Sequence, residues 1–221
     1  MMAMEGGMCL EKVKNASLKE KAYRMIRESI SNCTLIPGTL INEKELIELI
    51  GVSRTPIREA LSRLDQENLV RIVPQRGVFV TDLTLKNIEN ICDTRELVEP
   101  YFARIAALKA DERDLKRYED FFIHTQEFDF ETEIRTDSDF HVYVASFSDN
   151  DYLLQMMNNI YTHNNRLRRL LCRIPSRLSA APREHLDIIR AMLQRDAEGA
   201  AEAMKDHIIN SRKTAFNMET N

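Results

Sequence analysis

Residues 50–61, Ile50-Gly51-Val52-Ser53-Arg54-Thr55-Pro56-Ile57-Arg58-Glu59-Ala60-Leu61, restrict the fold more than any other stretch of this chain. Gly51 breaks a short apolar-periodic run. Ser53 is of the type that caps a helix, and Pro56 falls in a first turn, where a missing N–H does little harm. Ile57, Ala60, Leu61 and Leu64 then give the second helix a buried stripe. Two helices meeting at a tight glycine turn are the expected result. The N-terminus of the second carries Arg54, Thr55 and Arg58. A helix N-terminus favours anions, and arginine suits phosphate and guanine edges, so this end fits the major groove of DNA. An αα corner with solvated arginines fits the bare pattern too.

The flanks extend the motif. Ser17 and Glu20 have capping-box spacing, and Leu18, Tyr23, Ile26 and Ile30 fall roughly on one face of a helix that Pro37-Gly38 should end. Asn42-Glu43-Lys44-Glu45 opens a short helix backed by Leu46, Ile47, Leu49 and Ile50. Leu69–Val73 and Val78–Thr81 read as strands around a turn at Pro74-Gln75-Arg76-Gly77. Residues 17–81 therefore predict a winged helix-turn-helix, preceded by a non-periodic arm over 1–16. At Asp82 to Thr84 the period changes from two to 3.6. Helices follow over about 84–109, 111–128, 132–148, 151–172, 182–194 and 196–216, with Pro175 and Pro182 bracketing a loop. The fold class is mainly α, with an all-α antiparallel bundle over 82–221.

Composition narrows the function. The net charge of −4 does not suggest nucleic acid, but residues 1–81 hold 12 Lys/Arg against 10 Asp/Glu, and residues 82–221 hold 19 against 25. The N-terminal part is the better DNA binder. Apolar runs fall short of the ~18–20 residues that cross a membrane, and the start lacks a signal pattern, so a cytoplasmic protein is expected. Cys9, Cys33, Cys92 and Cys172 form no CxxC and read as reduced thiols.

Pro37-Gly38, Leu40, Glu43, Leu46, residues 51–56, Arg58-Glu59-Ala60-Leu61, Leu64, Leu69-Val70 and Arg76-Gly77 together resemble the DNA-binding domain of the GntR family. The resemblance implies DNA contacts from Lys44, Arg54, Thr55, Arg58 and the wing tip at Arg76 and Gly77, with Ser53 at the capping position beside them. Two departures are mild. Ile47 stands where Ala is usual, and Asn68 replaces a glycine but tolerates the left-handed region.

In the helical half, Asp137 and His141 are four residues apart and share a face, while His185 and His207 sit on later helices. A carboxylate and imidazoles suit a divalent metal, though the spacing alone fits surface chemistry equally. Arg95-Glu96-Leu97-Val98-Glu99, Ala106-Ala107, Asp137, Phe140-His141, Asn150, Leu153, Glu184-His185, Ile188, Ala191, Ala200 and His207 resemble the FCD ligand-binding domain of FadR-type regulators. That resemblance implies a metal at Asp137, His141, His185 and His207, zinc before nickel or manganese, and makes an acyl-CoA effector less expected. A divalent cation with these ligands keeps a charge near +1 and can leave a coordination position for a small organic acid. Arg95 either pairs with that acid or forms an ion pair with Glu99 on its own helix. His163, Asn164, Asn165 and Arg168 either line the same cavity or form a polar helix surface, and His124 reads as structural or solvated.

The expected function is an effector-controlled transcription regulator, a repressor or an activator, acting as a homodimer on an inverted-repeat operator. One recognition helix reads too few base pairs for a genome, and two-fold symmetry doubles the readout. Two other classes compete. The first is a metal-dependent hydrolase with a DNA anchor, which the Asp/His set suits but for which no general base is evident, since Glu184 points about 100° from His185. The second is a structural helical dimer without ligand.

Overall fold

The computed structural model of the chain describes residues 18–124, 129–171 and 181–216. The proposed Ser17 cap, the arm over 1–16, Cys9, Cys172 and Pro175 lie outside these. The fold divides into two compact units between Thr81 and Asp82, with Ser31–Cys33 grouped with the second unit.

The first unit contains α1 (Leu18–Ser31), α2 (Glu43–Ile50), α3 (Arg54–Gln66), β1 (Val70–Val73) and β2 (Gly77–Val80). Ala22, Tyr23, Ile26 and Ile30 of α1, Leu46 and Ile50 of α2, and Ile57, Ala60, Leu61 and Leu64 of α3 build one core with Leu69, Val70, Val78 and Val80. The α3 stripe is the expected one. Leu18 is exposed in the first turn of α1, and Leu49, 71% exposed, sits on the outer side of α2. Helix α1 stops at Ser31, short of Pro37-Gly38, because Cys33 turns the chain through the left-handed region at φ 54°. Nothing in the composition of that turn announces it. Gly51 takes φ 71°, and its N–H bonds the Ile47 carbonyl at 2.9 Å, ending α2. Asn68 adopts φ 57°, supplying the left-handed residue usually provided by glycine.

The wing is an antiparallel pair with Val70 opposite Val80 and Val73 opposite Gly77. Leu40 bridges to Phe79 on the far side of β2. Gly77 at φ 110° brings this third segment close: a Cβ there would lie 2.8 Å from Leu40 Cδ1. Tyr23, Arg27, Arg63 and Glu67 tie α1 to the end of α3. The Tyr23 hydroxyl donates to Glu67 at 2.8 Å, Arg27 and Arg63 pair with Glu67 at 3.5 and 3.3 Å, and the Arg63 guanidinium lies 3.6 Å from the Tyr23 ring centre.

The second unit is helical throughout its described residues: α4 (Leu85–Lys109), α5 (Glu112–Ile123), α6 (Phe130–Ala145), α7 (Asp151–Leu171), α8 (Ala181–Leu193) and α9 (Ala197–Phe216). Helix α5 ends at Ile123 with His124 at its exposed C-cap, five residues before the expected end, and α6 begins at Phe130 and ends at Ala145. Thr84 forms a capping box with Asn87, and Asp111 and Asp129 cap α5 and α6. Small residues at Ala103, Ala106 and Ala107 let α4 approach the Ala200, Met204 and Ile208 face of α9 in one core with Phe140, Ile188 and Ile189. Cys92 is buried as core filler, while Cys33 is half-buried. No described helix is long and apolar enough to cross a membrane.

Candidate functional site

The reading-head residues Lys44, Ser53, Arg54, Thr55, Arg58, Arg76 and Gly77 are all exposed. Asn42, Thr84, Asp111 and Asp129 each accept a hydrogen bond from the backbone of the helix they precede, but Ser53, at the N-cap of α3, makes no such bond. The first turn of α3 contains no acidic residue and carries Arg54 instead. Cations at a helix N-terminus oppose the macrodipole. This end is therefore locally unfavourable and ready to receive an anion. Arg58 lies 3.2 Å from Glu43 of α2, an exposed pair that a phosphate can displace.

In the helical unit, the inward stripe of α4 is apolar from Phe102 to Ala110 but carries Arg95 and Glu99 one to two turns earlier. Both are buried, as are Asp137 and His141 on α6, His185 on α8 and His207 on α9. Buried charges cost several kcal/mol each unless paired, so a cluster of this kind is not core filler. His141, His185 and His207 bring their ligand nitrogens within 4.8 Å of one another. His185 Nε2 lies 3.4 Å from His141 Nε2 and 3.2 Å from Asp137 Oδ1, and Asp137 Oδ2 is 4.0 Å from His141 Nε2. The four residues named from the resemblance thus converge from three helices.

Electrostatics suits the donors to a cation. Burial, then repulsion by His141 and Arg95, pushes His207 down to about 3. Burial, followed by His207, likewise drives His185 well below the ordinary histidine value. Both rings are therefore neutral at pH 7, with a lone pair to offer. Burial alone would raise Asp137, but the Arg168 guanidinium beside it outweighs this and holds the carboxyl ionised. Ionised carboxylate and neutral imidazoles are the forms a divalent metal binds. The residues present therefore fit a zinc-type ion.

The flanking residues divide. Arg95 forms the ion pair with Glu99, Nε to Oε1, and so adopts the second of its two expected roles. Its Nη2 also lies 3.5 Å from His141 Nε2, and its Nη1 donates to Asn164 at 3.0 Å. Arg168 pairs with Asp137. Asn165 is not brought to the cluster: its amide oxygen accepts from Ser138 at 3.4 Å, and its neighbour Asn164 faces inward instead. Glu99 also approaches His141 Nδ1 at 2.6 Å, and Arg95 with His141 holds it down to about 2 against the effect of burial. Glu184 accepts from His207 Nδ1 at 2.9 Å and from Asn210 at 2.8 Å. Sequence reasoning missed that partnership. The one available signal is that Asn210 lies a turn beyond His207 on the same face of α9. Phe122 stacks on the His185 ring at 4.4 Å.

Two family patterns match the chain: "Bacterial regulatory proteins, gntR family" over residues 18–80 and "FCD domain" over residues 90–210. The HTH-type transcriptional regulator YdhC of Bacillus subtilis (strain 168) is 32% identical over 198 residues, covering 85% of this chain and 84% of the relative. The HTH-type transcriptional repressor RspR of Escherichia coli (strain K12) is 29% identical over 196 residues, 86% of each. Among solved structures, E. coli McbR/YncC superposes with a TM-score of 0.81 at 21% identity, over 92% of this chain and 99% of that one. A GntR structure from Rhodococcus sp. RHA1 gives 0.78 at 19% identity, over 91% and 99%. At these identities the structures speak for the fold alone.

Proposed function

The chain belongs to the GntR family of bacterial regulators and carries an FCD domain, and from that premise we propose that it is a repressor whose operator affinity is set by a carboxylate effector bound at a divalent metal. These families are transcription regulators, not enzymes, and the hydrolase reading finds no support in them. Glu184, the nearest carboxylate to His185 in sequence, is engaged with His207 and Asn210.

Residues 17–81 act as the DNA-binding domain, 82–221 as the effector and dimerisation domain, and 1–16 as an arm, in a cytoplasmic homodimer on an inverted repeat. Arg54, Thr55 and Arg58, with Ser53 at the bare end of α3, contact the major groove, and Lys44, Arg76 and Gly77 flank it. Repression follows the printed role of RspR. The observation that carries the effector reading is the convergence of His141, His185 and His207, with Asp137 3.2 Å from His185, beside the Arg95 guanidinium. When bound, the metal supplies a positive centre that takes an effector carboxylate. Arg95, now paired with Glu99, would be the cation beside that acid, and Asp137, now paired with Arg168, would join the three histidines in holding the metal.

The experiment is a DNA-binding titration on an inverted repeat selected from random duplexes, with metal analysis. Arg54→Ala or Arg58→Ala should weaken binding by about 1–3 kcal/mol if a base contact is lost. His185→Ala should keep DNA affinity but lose metal and the response to a panel of hydroxy and dicarboxylic acids. A wild-type protein that carries no stoichiometric metal and takes up no zinc, nickel or manganese would end the metal reading.

A further inference from the structure

We propose that Glu184 is a positioning residue that locks His207 as the Nδ1–H tautomer and turns its Nε2 toward the metal. The inference rests on the metal reading above. A neutral imidazole carries one N–H and one lone pair, and the partner of one nitrogen decides which it is. A carboxylate can only accept, so His207 Nδ1, 2.9 Å from Glu184 Oε2, is the protonated nitrogen. The lone pair then resides on Nε2.

Glu184 is itself braced, since its Oε1 accepts from Asn210 Nδ2 at 2.8 Å. Asn210 stands three residues beyond His207 on α9, so one helix supplies the ligand and the donor that holds the ligand's carboxylate, while α8 supplies the carboxylate. The same helix α8 presents His185 at the next position, so one short segment both ligates and orients. A second carboxylate serves His141 in a related way, with Glu99 2.6 Å from Nδ1 on a bent approach. His185 has no such partner among the described residues. Its Nδ1 is buried without a hydrogen bond, and its ring is set by stacking on Phe122. Carboxylates placed behind metal-bound imidazoles are worth about 10–100-fold in metal affinity.

The test compares wild type, Glu184→Ala, Glu184→Gln and His185→Ala by zinc affinity in chelator competition, thermal midpoint of the metal-free protein, and ¹⁵N NMR of the His207 ring. Glu184→Ala should weaken zinc about 10–100-fold and leave His207 a mixture of tautomers. Glu184→Gln should restore most of the affinity, because its amide oxygen still accepts from Nδ1–H while Asn210 flips its amide to accept from the new NH2. Affinity for Glu184→Ala within about two-fold of wild type, while His185→Ala loses zinc, would overturn the positioning role and leave the metal reading standing. Wild-type affinity in His185→Ala, or no zinc on wild type, would overturn both.

Discussion

Tyr23 shows how one residue sets a pH limit on the first unit. Burial, then the hydrogen bond to Glu67, pushes its hydroxyl up to about 12. An unfolded tyrosine ionises near pH 10. Between those values the folded state keeps a proton that the unfolded state has lost, so stability is full below pH 10 and falls as pH rises toward 12. Urea unfolding at pH 8 and pH 11 should show a larger loss for wild type than for Tyr23→Phe, and equal losses would remove Tyr23 as the cause. Single residues were unevenly legible in the sequence. Asp137 and His141 share a face by spacing alone, and the Arg95–Glu99 pair is an i,i+4 relation that any helix offers. The meeting of His185 with His207, and of Glu184 with His207, depends on α8 packing against α9, and no local spacing encodes it.

Helices were legible where a 3.6 period met a strong punctuation residue. Gly51 and the apolar stripe of α3 placed the helix-turn-helix, and the change of period over Asp82 to Thr84 placed the start of α4. The end of α1 was not legible, because Cys33 takes a left-handed turn that residue type does not announce. The caps make an element-scale prediction. Asn42 accepts from Lys44 N at 3.1 Å, so Asn42→Ala should cost about 1 kcal/mol of stability. Ser53 makes no cap bond, so Ser53→Ala should cost well under that while still weakening DNA binding. Chemical denaturation and DNA titration of both variants check the contrast. A Ser53→Ala loss as large as that of Asn42→Ala would mean that the hydroxyl caps α3 in solution.

At the scale of the whole molecule, the proposed homodimer needs an interface. Helix α4 turns Leu97, 80% exposed, with Tyr101 and Leu108 outward at spacings of four and seven, and α7 adds Tyr152 and Met156. Such an apolar stripe on a surface is a candidate for cover by a second copy. Leu97→Glu combined with Tyr101→Glu should give a monomer in light scattering and weaken binding to a full inverted repeat. A dimer that survives both changes would place the interface elsewhere. The same α4 carries Arg95 and Glu99 on its inner side, so any such interface and the buried cluster share one rod. That cluster is shut: Asp137, His141, His185 and His207 expose no more than 4% of their surface. An ion lodged there cannot trade with the buffer while the helices stay packed. Its residence time is governed by how often the bundle breathes open, a rate of local unfolding and not a property of the ligands alone. Ion and acid alike would enter only through those openings, so the response of such a regulator to either would be paced by the bundle.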